Sequence, residues 1–175
     1  MDTHANTKVD ETAPTGPAQR LDYAALAPQL LKKLTELNVA VADSAIEQPI
    51  RDLVEIRASQ MNGCTFCIDM HVKMAKIHGE RELRLHHVAG WRESHLFTPR
   101  ERACLAWTEV LTRISDGGVP DAVYERVRSQ LSEKEIADLT FVIVAINAWN
   151  RLNVGFRPVP GALDKTYGLT RAGLN

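Results

Sequence analysis

A chain of 175 residues is long enough to bury one sizeable core and too short for two comfortable domains. Its 21 Lys and Arg against 22 Asp and Glu leave a net charge of -1, too weak a field to gather a polyanion, so nucleic acid is not an expected partner. Three cysteines, an odd count, argue against a scaffold held by structural disulfides. With no cationic start leading into an apolar stretch and no apolar run of spanning length, the expectation is a cytoplasmic protein without a membrane partner.

Residues 1 to about 20 hold Thr, Asp, Asn, Pro14, Gly16 and Pro17 with almost no large apolar side chain, and read as a flexible leader. From Leu21 the period turns helical. Leu26, Leu30, Leu34 and Leu37 recur every three or four residues with Leu31 alongside, as one buried face requires, either in the core or against another subunit. Ile50, Leu53, Val54 and Met61 repeat the habit, and Asn62-Gly63 supplies a turn able to take positive φ before a helix starting at Cys64. Thr98-Pro99-Arg100-Glu101 reads as a capping box with Pro at the first helical position. Asp116 to Pro120 breaks that helix, and Ser132-Glu133-Lys134-Glu135 opens another that is expected to run to about Arg151. Its middle, Phe141 to Ile146, is apolar nearly all round, which predicts a buried helix. No Gly-rich phosphate loop, alternating strand pattern or repeat stands out, so the fold class is all-α.

The chemistry concentrates in Cys64-Thr65-Phe66-Cys67-Ile68-Asp69-Met70-His71. On a helix, steps of three and four put Cys64, Cys67 and His71 on one face. A helix start stabilises a thiolate, and a base one turn from Cys67 can take its proton. This points to a thiol oxidoreductase. A structural zinc site needs about four ligands and commonly a second CxxC-like pair, which this chain lacks, so no metal and no cofactor are expected. Thioredoxin places its CxxC after a strand, whereas the residues before Cys64 carry the helical period. Cys104, among Ala103, Leu105 and Ala106, reads as a core residue. Trp91 and Trp149 read as packing residues, His78 as an exposed helix end, and His86, His87 and His95 carry no expected role.

The stretch from Asp52 through Gly79, with Ser59-Gln60-Met61-Asn62-Gly63 leading into the CxxC and His71, resembles the core of the AhpD-like and carboxymuconolactone decarboxylase superfamily, in its CxxC-bearing peroxidase branch. The resemblance continues through Trp91-Arg92-Glu93, the Glu101-to-Glu109 helix and Asn147-Ala148-Trp149-Asn150-Arg151. It implies that residues 21–175 form one compact helical bundle whose subunits intertwine in a homo-oligomer, a trimer or hexamer. It also implies reduction of a small-molecule hydroperoxide at the CxxC pair, with a proton relay and an external thiol or dithiol as electron donor.

Carried over by position, Cys64 and Cys67 match the redox pair and His71 the relay histidine. Twelve residues before the first cysteine the family relay tends to have Glu; here Asp52 stands there, one methylene shorter, and Glu55 one turn on is the alternative acid. Phe66 stands where the best-known peroxidases of the group have His. Two further readings of the same residues are a thiol–disulfide reductase or redox adaptor without peroxide turnover, and a decarboxylase or lactone-processing enzyme.

Overall fold

The computed structural model describes residues 16–174, and every regular element among them is helical, which makes the protein all-α. Residues 1–15 of the expected leader lie outside the described residues. Gly16 to Arg20 are exposed, and Arg20 is tied to the far end of the chain through its backbone N–H to Phe156 O (2.9 Å) and its Nη1 to Gly155 O (2.9 Å).

The leucine stripe forms two helices rather than one. Asp22 caps α1 (Tyr23–Leu26) by accepting from the N–H groups of Ala24 and Ala25, and α2 (Pro28–Ala42) begins two residues later. Pro28 has no N–H to continue the ladder and disfavours helical dihedrals in the residue before it, so Ala27 sits at φ -133°, ψ 53°. Leu31, Leu34 and Leu37 are half-buried, and Leu37 packs on the core. Leu26 and Leu30, flanking the break, are 73% and 74% exposed, so of the two expected places for the stripe the core is not theirs.

Helix α3 (Gln48–Asn62) is the hub, packing against α4 (Thr65–Ile77), α6 (Pro99–Thr112) and α8 (Glu133–Phe156). It stops where Gly63 takes φ +65°, with Gly63 N–H bonded to Gln60 O (3.2 Å) and Cys64 N–H to Ser59 O (3.0 Å). Only glycine adopts that conformation without a Cβ penalty, so the Asn62-Gly63 turn arises as expected. Both capping boxes form: Thr98 with Glu101 opens α6, and Ser132 with Glu135 opens α8. Between these long elements lie α5 (Glu82–His87), a 3-10 turn at Val88–Gly90 and α7 (Asp121–Arg128), and after α8 come α9 (Asp164–Tyr167) and a last 3-10 turn at Leu169–Ala172.

Helix α8 continues to Phe156, past the expected end near Arg151. It is not buried all round: Val142, Ile143, Ala145 and Ile146 face the core, while Phe141 and Val144 are 57% and 50% exposed. Six consecutive apolar residues point all round a helix, and the rest of the bundle shields only one side of α8.

Three apolar clusters hold the bundle. Ile50, Val54, Leu139 and Ile143 anchor the first; Leu53, Ile56, Val88, Trp91 and Leu105 the second. Ala58, Phe66 and Ile146 lie with the two CxxC cysteines in the third. Full burial of each large aliphatic or aromatic side chain contributes roughly 1.5–3 kcal/mol. Trp91 is a packing residue as expected, 1% exposed, with its indole N–H donating to Glu109 Oε1 at 2.8 Å. Among the described residues no helix is long and apolar enough to cross a membrane.

Candidate active site

Cys64 is the N-cap of α4 rather than its first helical residue, and its Sγ accepts from Cys67 N–H at 3.3 Å. Cys64 and Cys67 are joined in a disulfide, with Cα atoms 5.3 Å apart and each residue 2% exposed. The pair therefore sits where unpaired backbone N–H groups favour a thiolate once the bond is reduced.

A buried polar network fixes the turn that delivers this pair. Asn62 Nδ2 donates to Asn147 Oδ1 (2.9 Å) and to Asn150 Oδ1 (2.8 Å); Asn150 Nδ2 donates to Ser59 Oγ (3.1 Å) and Asn147 Nδ2 to Thr112 Oγ1 (3.1 Å). Each bond satisfies a group that would otherwise be stranded in the interior, which costs about 1–3 kcal/mol per group. The end of α3 is thereby bolted to α8.

Of the two candidate acids, the structure brings Glu55 to His71. Glu55 Oε2 lies 3.1 Å from His71 Nδ1, at ion-pair distance but off the line of a well-aligned hydrogen bond. Both side chains are largely buried, at 13% and 12% exposure. Asp52, 1% exposed, accepts instead from Gln48 Nε2 (2.9 Å) and faces His78 Nδ1 at 2.8 Å. His78 is the C-cap of α4 and is only one-third exposed, so it is more than a loose helix end.

These contacts set the protonation states. Burial lowers the proton affinity of His71, but the Glu55 carboxylate against it and the charge of Asp52 outweigh that cost and carry the imidazole above its ordinary 6.5. Burial raises Asp52 above the usual carboxylate value, against the pull of hydrogen bonds from His78 and Gln48. Cys104, fully buried and free, is pushed up by burial to about 12 and stays a neutral thiol. It is the core residue its neighbours in sequence suggest.

A cavity of about 400 Å³ opens beside the disulfide. Cys67, His71, Glu55 and His78 contribute to its wall, whereas Cys64 does not. The remaining lining is largely apolar, and Phe66, Met70 and Trp149 pack in one cluster with the two cysteines, so Trp149 is both a packing residue and part of the wall. Among the described residues no three His, Cys, Asp or Glu side chains group to hold a metal ion.

Two residues outside the expected set reach the redox pair. Asn153 Nδ2 donates to Cys67 Sγ at 3.3 Å, and Tyr23 O–H donates to Asn153 Oδ1 at 2.8 Å, which orients the amide. Burial, with Tyr167 and Asp22 nearby, raises the Tyr23 pKa and keeps that hydroxyl a donor. The available signal was Asn147, Asn150 and Asn153 at steps of three on an otherwise apolar helix, a polar stripe that such a helix carries only where partners satisfy it. Tyr23 lies 130 residues from its partner and left no such trace.

Fold and site together define an all-helical protein of the AhpD-like fold with a CxxC pair at the wall of an apolar cavity. The family model described as the carboxymuconolactone decarboxylase family matches residues 28–110. The uncharacterized protein YdfG of Bacillus subtilis (strain 168) is 39% identical over 137 residues, spanning 78% of this chain and 93% of that protein. A crystal structure from Agrobacterium tumefaciens, of a protein of unknown function suggested to be the antioxidant defence protein AhpD, superposes with a TM-score of 0.78 at 41% identity, covering 81% of this chain and 99% of that one. The debrominase Bmp8 shares the fold at a TM-score of 0.71 and 16% identity, covering 85% and 79% of the two chains. The chain belongs to the carboxymuconolactone decarboxylase family.

Proposed function

We propose that this protein is a thiol-dependent peroxidase that reduces hydroperoxides at Cys67, with Cys64 as the resolving thiol. The observation that carries the reading is the placement of Cys67 on the cavity wall, one turn from a His71 that faces the Glu55 carboxylate, with Cys64 behind it. In the reduced enzyme the Cys67 proton passes to His71, and the resulting imidazolium, the Asn153 amide and the helix start all favour the thiolate. The sulfur lone pair attacks the distal oxygen of the hydroperoxide. The O–O bond breaks, Cys67 becomes a sulfenic acid, and the departing alkoxide takes the proton held by His71 to leave as an alcohol.

The Cys64 thiol then displaces hydroxide from the sulfenic sulfur, forming the disulfide and one water. An external dithiol supplies two electrons and two protons to restore both thiols. The net change is one hydroperoxide and one dithiol converted to one alcohol, one water and one disulfide. The AhpD-type antioxidant role suggested for the Agrobacterium relative supports this assignment.

The test is quantitative thiol loss on adding one equivalent of hydroperoxide to the reduced protein. The expected result is loss of two thiols per chain and one equivalent of alcohol formed. Cys67→Ser abolishes alcohol formation, while Cys64→Ser still forms it once and stops at a trapped sulfenic acid. Thiol–disulfide exchange with small disulfides and no alcohol would instead establish a reductase.

A further inference from the structure

Among the described residues, one charged side chain of the cavity wall has no partner of opposite charge. Within that wall Glu55 faces His71, and His78 faces the Asp52 beside it. Arg171, on the last 3-10 turn, has no carboxylate partner among the described residues. Its Nε donates to Gly168 O at 3.1 Å, which ties the guanidinium to the turn but leaves both Nη groups uncommitted. The guanidinium lies over Gly168, where an added Cβ would meet Nε at 3.6 Å and Nη2 at 3.7 Å. Those are ordinary van der Waals distances, and it is the φ of +66° at Gly168 that favours glycine in this turn.

The strap that carries Arg171 is anchored. Lys73 of α4, nearly buried, holds Asp164 at the start of α9 at 2.6 Å and its own neighbour Asp69 at 2.9 Å. Leu163, Tyr167 and Leu169 of the same strap turn apolar surface into the cavity. The lining is thus apolar around the sulfur and includes one exposed arginine, held at Nε, at its edge. A volume of about 400 Å³ is many times that of a water molecule and far larger than hydrogen peroxide needs.

We infer that the preferred substrate is an amphipathic organic hydroperoxide bearing a carboxylate, with its apolar body against Phe66, Met70 and Trp149 and its anionic end bound by Arg171. This rests on the peroxidase reading for its chemistry and adds the substrate class and the residue that selects it. The planar guanidinium offers two N–H groups to one carboxylate, a geometry in which charge-assisted bonds are strongest. No new bond-making step is involved: Arg171 acts on binding and orientation, and the sulfur chemistry is unchanged.

The experiment compares each carboxylate-bearing hydroperoxide with its own methyl ester, which has the same body and no charge. Two spacers are used, the para-carboxylate of cumene hydroperoxide and a longer ω-hydroperoxy alkanoate. The expected result is a kcat/KM at least tenfold higher for the acid than for the ester with at least one spacer. Arg171→Gln should erase that preference, lowering the acid by about 10- to 100-fold relative to its ester, while Arg171→Lys keeps part of it. Equal rates for acids and esters at both spacers, or a preference that survives Arg171→Gln, overturn the inference.

A second arm separates this from failure of the peroxidase reading. The alcohols corresponding to the same acids and esters, which cannot react, are titrated while tryptophan fluorescence reports the Trp149 wall. Tighter binding of the acid that is lost in Arg171→Gln upholds the anion site even if no hydroperoxide is turned over. Equal binding of acid and ester refutes it even if turnover is fast.

Discussion

Replacing Glu55 by Gln keeps the shape of the side chain and removes the charge that faces His71. At the observed separation of 3.1 Å, two unit charges attract by about 5 kcal/mol for an effective dielectric of about 20. Both groups are nearly nine-tenths buried, so solvent screens little of this, but removing them from water consumes part of the gain. With roughly two-fifths surviving, about 2 kcal/mol of support for the imidazolium is lost, equivalent to a roughly 30-fold slower reaction of Cys67 with hydroperoxide at neutral pH. Asp52→Asn should cost less, below about tenfold, because the Asp52 oxygens are engaged by His78 and Gln48 and only its field reaches His71. The assay is stopped-flow thiol oxidation under single-turnover conditions, paired with an NMR titration of the His71 ring. The His71 midpoint should fall in Glu55→Gln, since burial is then less opposed. An unchanged midpoint, or a rate loss in Asp52→Asn equal to or greater than that in Glu55→Gln, would refute the assignment of Glu55 as the partner acid.

Because the folded state holds the His71 proton more tightly than the unfolded chain, its contribution to stability is full below 6.5 and disappears as pH rises through the raised value. The gap in urea midpoint between the oxidised protein and its His71→Asn variant should therefore narrow from pH 6 to pH 9; a gap that widens contradicts the sign. Cys104, raised to about 12 and with no exposed surface, should resist iodoacetamide in the native reduced protein while Cys64 and Cys67 are alkylated. Mass mapping after digestion checks this, and early labelling of Cys104 would contradict it. The exposed leucines Leu26 and Leu30 lead us to propose that α1 and the start of α2 are covered by another copy of the chain. Sedimentation should give a multiple of three, as the family resemblance implies, and Leu30→Glu should reduce the assembled mass at micromolar concentration; a parent protein that is monomeric there ends the proposal.

Local signals in the chain were enough for the helices that close their own ends. Thr98 with Glu101 and Ser132 with Glu135 each satisfy orphan N–H groups within four residues, and Gly63 ends α3 by a conformation only glycine takes freely. The redox motif belongs with them. Cys64, Cys67 and His71 span eight residues of one helix start, so spacing alone puts their side chains on one face. Pro28 also acts locally, and it was the overlooked signal: the leucine period runs through it, but the backbone cannot.

Tertiary packing decided the rest. Asp52 and Glu55 lie three residues apart on α3, and spacing could not say which meets His71; the rotation of α3 against α4 turns Glu55 to His71 and Asp52 to His78. The exposure of Phe141 and Val144 has the same origin, since a helical period shows which residues share a face but not which face the fold covers. Asn153 and Tyr23 reach Cys67 across separations of 86 and, through Asn153, 130 residues, and Arg171 enters the cavity from the opposite end of the chain. Sequence therefore determined what depends on backbone geometry within a few turns: helix ends, the CxxC face and the His71 step. The partner acid, the cavity and the place of Arg171 in its wall depend on how distant helices pack, and only the folded chain sets those contacts.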